Sequence, residues 1–305
     1  MQTSGFLFAT TGPKYTALAQ RAAQSVRQHC PDIPIDLFTD QDIVDGTFDQ
    51  IHMLDHNWFR PKMEALYRSR FEHTVYLDAD LFVTADISDI FEVLGRFDCA
   101  ASHDQYRNSP AATQLFRRPI PAAFPQLNGG ILGITRNERT QAFLKDWERV
   151  LRESGAEKDQ SIFRELLFDS DLTLSTLPSE YNVHRIEHLR ALTSDDGAPR
   201  VIHHHFFHQH FNLGHQSIHS VEDLLGKRLF QHLQKLIAAD TALFPNEDPE
   251  TVDAYCDVRP GAKIPSPYRI KQRDKAKQRL KHPFRGTYGE SAFKAFKNFL
   301  GRKSE

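Results

Sequence analysis

The chain has 305 residues, 40% hydrophobic and 26% charged, with a net charge of −2. That balance fits a soluble globular protein with a sizeable core and gives no electrostatic case for nucleic acid as a partner. Three cysteines without paired spacing, Cys30, Cys99 and Cys256, exclude a disulfide framework and a cysteine zinc site and suit a reducing compartment. No basic-then-apolar leader opens the sequence, and no apolar run reaches the length of a bilayer span.

Gly5 to Thr10 reads as a first strand, and Thr11-Gly12-Pro13 as the turn into a helix carrying Tyr15, Leu18, Ala19, Ala22 and Val26 at helical spacing. Pro31 stops that helix, and Ile33 to Phe38 is a second strand. Strand, helix, strand is the unit that builds a parallel sheet. No Gly-x-Gly-x-x-Gly and no P-loop follows the first strand, so the dinucleotide and ATPase fingerprints are absent. Ile51 to Met53 is a short third strand, and Arg60 to Phe71 is predicted as a helix burying Met63, Leu66, Tyr67 and Phe71. Arg60 and Lys62 stand at the start of that helix, where a cation opposes the helix dipole but can share an anion with the free N–H groups.

Thr74 to Val83 is the stretch around which the chain is organised. It begins as an apolar strand and is then interrupted by Asp78 and Asp80. In an extended chain the i, i+2 spacing puts both carboxylates on one side. Carboxylates in an apolar run need a positive partner, and a hard divalent cation suits them. The carboxyl ends of parallel strands face the crevice where such sheets bind ligands.

A short helix is predicted over Ile87 to Leu94, capped by Asp86 or Ser88, followed by a strand from Asp98 to Ser102. The segment from Asn108 to Pro125 holds four prolines and reads as a long loop, and Asn128 to Ile134 is a strand with Gly129 and Gly130 at its entry. Asn137 to Leu151 is an amphipathic helix. Asp159 reads as the cap of a further helix from Ser161 to Leu167. Leu172 to Leu177 and Val201 to His203 are strands, the second running into seven histidines between His203 and His219. Val221 to Ala239 reads as one helix. Prolines punctuate the chain after Pro245, so residues 1–244 are expected to form the domain and residues 245–305 an extension. From Arg269 to Glu305 seven Lys and five Arg face one Asp and two Glu, and Phe293, Phe296, Phe299 and Leu300 share a helical face. A basic amphipathic helix of this kind suits an anionic membrane surface, or packs on its own domain with a solvated basic side.

Together the motifs resemble the GT-A nucleotide-sugar glycosyltransferases of the glycogenin and lipopolysaccharide-galactosyltransferase type, glycosyltransferase family 8, over residues 5 to 206. The resemblance implies an α/β fold with a mixed, mostly parallel central sheet flanked by helices. It implies a donor site of Ala9, Thr10, Thr11, Tyr15, Lys62, Asp78, Ala79, Asp80, Asn128, Gly129 and Gly130. It also implies catalytic roles for Asp159 and Gln160 near the transferred sugar, and a metal held by Asp78, Asp80 and His203. The implied cofactor is Mn²⁺ or Mg²⁺, and the implied donor a UDP-linked nucleotide-sugar, used with retention. The acceptor, saccharide, lipid-linked or protein, carries no readable code, and the expected place is the cytoplasm, at the inner face of a membrane. The chain departs from the family where a glycine and Lys-Pro-Trp follow the histidine strand: it reads His203-His204-His205-Phe206-Phe207-His208 instead, which leaves His203 and His205 as alternative ligands. A sugar nucleotidyltransferase and a non-catalytic nucleotide-sugar-binding protein are rival readings on the same fold. The short Thr11-Gly12-Pro13-Lys14 turn argues against the first, and intact Asp78, Asp80, Lys62 and Asp159 against the second.

Overall fold

A computed structural model describes residues 4–56, 58–211 and 218–245, so the basic segment after Pro245 lies outside the described residues. The chain begins with β1 (Ser4–Thr10), α1 (Gly12–His29), β2 (Ile35–Thr39) and β3 (Gln50–Met53). It continues through α2 (Lys62–Arg68), β4 (His73–Leu77), β5 (Leu81–Val83), α3 (Ile90–Leu94) and β6 (Cys99–His103). Then come β7 (Leu127–Thr135), α4 (Glu138–Ser154), α5 (Gln160–Asp169), β8 (Leu174–Thr176), β9 (Val201–His203), α6 (Val221–Leu225) and α7 (Lys227–Ala239).

Seven strands form one sheet in the order β3-β2-β1-β4-β7-β6-β8. β1 pairs in parallel with β2 and β4, β2 with β3, and β6 with β8, while β7 runs antiparallel to both β4 and β6. This is the mixed, mostly parallel sheet that the motif order implied. The strands alternate between two buried faces, as the period of two requires. Phe6, Phe8, Val75 and Leu77 meet α1 and α3 on one face. Leu7, Tyr76, Leu132 and Ile134 meet α2, α4 and α5 on the other, around Trp147.

The stretch from Thr74 to Val83 is not one strand. It splits into β4 and β5, which belong to different sheets, because β5 pairs antiparallel with β9 in a small second sheet. The turn Asp78-Ala79-Asp80 is clamped at both ends: Asp78 N–H donates to Gly130 O at 2.8 Å, and His204 N–H donates to Asp80 O at 3.0 Å. The two aspartates are therefore brought together by a turn between two sheets rather than by the pleat of one strand. The helix predicted over Arg60 to Phe71 is shorter, Lys62–Arg68. Phe71 lies beyond it, with its ring packed where a side chain on Gly5 would stand. The single helix predicted from Val221 to Ala239 breaks at Gly226, whose φ of 74° favours glycine. α3 starts three residues later than predicted; Asp86 caps nothing there, and its carboxylate accepts from Ser88 N–H instead.

Candidate active site

The carboxyl end of β4, the entry of β7, the end of β9 and the starts of α2 and α5 converge on one place. One ligand atom each of Asp78, Asp80 and His203 lies within 4.8 Å of the others. The pairing of β5 with β9 causes this, since Leu81 sits opposite His203 and so brings Asp80 beside the imidazole. His203 Nε2 is 3.3 Å from Asp80 Oδ1, and His208 Nε2 is 3.0 Å from Asp80 Oδ2. His203 is thus the imidazole that joins the aspartates, while His205 stacks on His204. Burial alone would raise the Asp80 carboxyl, but His203 and then His208 outweigh it and hold it well below the usual carboxylate range. His203 moves the other way: burial opposes its charge, and Asp80 raises it above the ordinary imidazole value. Tyr76 O–H donates to Asp78 Oδ1 at 2.7 Å.

The second half of the site is a buried ion pair. Lys62, the first residue of α2, places Nζ 3.2 Å from Asp159 Oδ2 and 3.9 Å from Asp78 Oδ1. It also donates to Gly129 O at 3.3 Å. Burial disfavours the ammonium, yet Asp159 and then Asp78 raise its pKa. Burial likewise disfavours the Asp159 carboxylate, and Lys62 and Arg60 lower it below its usual range. Asp159 occupies the cap position of α5 but its side chain caps nothing, because it faces Lys62 and Arg60. Asp159 Oδ2 is buried, and its contact with Lys62 is an ion pair rather than a well-aligned hydrogen bond. Trp147 Nε1–H donates to Asp159 O at 3.3 Å, which fixes the start of α5.

The glycines of β7 leave room for both halves. A Cβ on Gly130 would overlap the His203 ring, and one on Gly129 would stand 3.0 Å from Lys62 Nζ. Gln160 Oε1 accepts from Gln126 Nε2 at 3.1 Å. At the first strand, Thr10 Oγ1 is taken up by Thr16 and Thr39 at 3.0 and 3.4 Å, so its hydroxyl serves the packing of α1 against β1 and β2. Ala9 is buried beside it, Thr11 caps α1 without a side-chain bond, and Tyr15 is 42% exposed with its ring edge against His208 at 5.4 Å. Sequence reasoning did not assign His208, Tyr76 or Gln126 to this site. His208 carried a signal in the histidine cluster, but Tyr76 and Gln126 carried none.

The sequence profile of the nucleotide-diphospho-sugar transferases matches residues 17–213. The chain belongs to that family. Among solved structures, the apo form of the glycosyltransferase GlyE of Streptococcus pneumoniae TIGR4 is similar at 17% identity, over 83% of this chain and 66% of that one, with a TM-score of 0.50. A second GlyE structure is 20% identical over 76% of this chain and 60% of that one, with a TM-score of 0.49. The galactosyltransferase LgtC, solved with donor and acceptor sugar analogues, is 18% identical over 66% of this chain and 87% of its own, with a TM-score of 0.49. The chain thus spans about 60% to 66% of the GlyE chains it matches. No protein with a curated description matches it in sequence. The nucleotide-diphospho-sugar transferase family and the mixed, mostly parallel α/β fold agree with what the order and spacing of the motifs implied.

The donor set fits a divalent cation. Two carboxylates and one imidazole converge, and mixed oxygen and nitrogen ligands suit Mn²⁺. Gly130 keeps the imidazole free to reach the pair.

Proposed function

We propose that this protein is a metal-dependent glycosyltransferase that moves a sugar from a nucleotide-sugar, UDP-linked, to an acceptor with retention of configuration. The observation that carries the reading is the meeting of the Asp78, Asp80 and His203 triad with the Lys62–Asp159 pair across the glycines of β7. Such transfer leaves a nucleoside diphosphate, whose developing negative charge must be stabilised. Asp78, Asp80 and His203 would hold Mn²⁺ or Mg²⁺, which when bound supplies Lewis-acid neutralisation of that leaving group.

The remaining work falls to the chain's own groups. Lys62 is kept charged by Asp159 and Asp78, so its ammonium is present to attract the diphosphate. Asp159 is kept ionised by Lys62 and Arg60, and its Oδ2, paired with the Lys62 ammonium, can accept a sugar hydroxyl or stabilise positive character at the anomeric carbon. Gln126 orients Gln160 at the same helix start. Ala9, Thr11 and Tyr15, at the end of β1 and the start of α1, would meet the nucleotide, with the exposed Tyr15 ring as a stacking face.

No described helix is long and apolar enough to cross a membrane. A cytoplasmic protein resting on an anionic membrane face through its basic extension fits the composition of residues 269–305.

Calorimetric titration of UDP, with and without Mn²⁺, tests the donor site. Metal-dependent binding that is lost in Asp80→Ala is expected. Binding indifferent to both would make the aspartates a structural turn and remove the reading. Donor hydrolysis in the presence of Mn²⁺ is expected of an enzyme, and turnover that instead requires a nucleoside triphosphate and a sugar phosphate would identify a nucleotidyltransferase.

A further inference from the structure

We infer that Asn128 and Asn182 form a relay that fixes the tautomer of His203, so that its Nε2 lone pair faces the cation site shared with Asp78 and Asp80. The inference rests on the metal site proposed above and assigns two positioning residues to it.

The relay starts from a donor whose identity is not in question. Gly130 N–H, a backbone group, donates to Asn128 Oδ1 at 2.9 Å, so that atom is the carbonyl oxygen of the amide. Asn182 approaches the same oxygen at 3.0 Å, and only its NH₂ end can do so favourably. The Asn182 carbonyl oxygen is then turned to His203, 2.9 Å from Nδ1. An acceptor there requires the proton on Nδ1. In the neutral ring Nε2 consequently carries none.

That bare nitrogen is 3.3 Å from Asp80 Oδ1. Two lone pairs facing each other at this distance repel unless a cation lies between them, either a proton on the ring or a metal ion. The relay therefore prepares the imidazole as a ligand in the way that outer hydrogen bonds commonly orient metal-binding histidines. Burial makes the arrangement binding: Asn182 is 1% exposed and Asn128 8% exposed, so water does not substitute for either amide. The backbone sets the registration, since His203 N–H donates to Val183 O at 2.9 Å and so holds Asn182 beside the ring. Asn128 Nδ2 also lies 3.5 Å from His184 Nδ1, a separation too long to orient either group. The Asn128 carbonyl oxygen is engaged inside the protein, by Gly130 and Asn182.

Nitrogen-15 spectra of the histidine rings of the full-length, metal-free protein, at a pH above the imidazole titration, read the tautomer directly. The His203 signal is assigned by its loss in His203→Gln. The Nδ1–H tautomer is expected in the wild type, a shift towards Nε2–H in Asn182→Leu, and retention of Nδ1–H in Asn182→Asp, which keeps an acceptor. Mn²⁺ affinity, from metal titration without substrate, should fall about 10- to 100-fold in Asn182→Leu. An Nε2–H tautomer in the wild type overturns the relay and needs no variant to fold. So does an unchanged tautomer in Asn182→Leu. A wild type with the Nδ1–H tautomer that binds no Mn²⁺ upholds the relay and removes the metal reading instead.

Discussion

At the scale of single residues, the site is a set of charges that tolerate burial only in each other's company. Lys62 and Asp159 have side chains 8% and 6% exposed and lie 3.2 Å apart. Replacing Lys62 by Met leaves Asp159, and in part Asp78, without its compensating charge. Breaking such a pair from one side costs about 3 to 5 kcal/mol. Urea unfolding should show a loss of that order for Lys62→Met, and a smaller loss when Asp159→Leu is added, because the orphaned carboxylate is gone. Gly130 is the other residue on which the site turns. A methyl there collides with the His203 ring, so Gly130→Ala should keep its circular-dichroism spectrum while losing Mn²⁺-dependent UDP binding in calorimetry. Retained metal dependence in that variant would place the imaging of the cation site on other residues than His203.

Elements set these residues in place through their ends. α4 is capped by a reciprocal box between Asn137 and Thr140, and Asn137 Nδ2–H also donates to Asp98 Oδ1 at 2.7 Å. Asn137→Ala should therefore cost about 1 kcal/mol or somewhat more in chemical denaturation. Asp98, just before β6, ties three elements together: it accepts from Thr173 N–H at 2.9 Å ahead of β8, and pairs with Arg139 of α4 at 2.8 Å. Burial would raise its carboxyl, but the Thr173 and Asn137 bonds and Arg139 hold it below the usual range. A carboxyl depressed in the folded state stabilises the fold above its unfolded value of about 4. That contribution is lost as pH falls through the folded value. Asp98→Asn should thus be less stable at neutral pH and show a shallower loss of stability on acidification. An acid limb of unchanged slope would mean that other carboxylates set it.

For the molecule as a whole, the site takes residues from the large mixed sheet, the small β5–β9 sheet and the starts of α2 and α5. The aspartate turn passes from one to the other. The basic extension lies outside the described residues, and its proposed role is tested on the intact chain. Full-length protein should float with anionic vesicles, whereas a chain ending at Pro267 should not. Equal flotation of the two would remove the extension from any membrane role.

The sequence by itself determined the family, the order of most strands and helices along the chain, and which residue types meet at the candidate site. Strong local signals carry these: an apolar strand cut by Asp78 and Asp80, paired glycines before an apolar run, and a histidine ending a short strand. Their spacing reflects the fold. What only the tertiary structure decided was which groups face which. β4 and β5 part because β5 pairs with β9, more than a hundred residues away in the chain, and no local pattern records that pairing. The same long-range contact brings His203 beside Asp80. Asp159 looked like a helix cap because capping is the commonest use of an aspartate at that position. Tertiary packing gave it a buried lysine instead, and the ion pair outweighs the cap. Asn128 and Asn182 stand fifty-four residues apart in sequence, and their shared hydrogen bond exists only because the segment after Asn182 bridges to β9 while β7 carries Asn128 up to it.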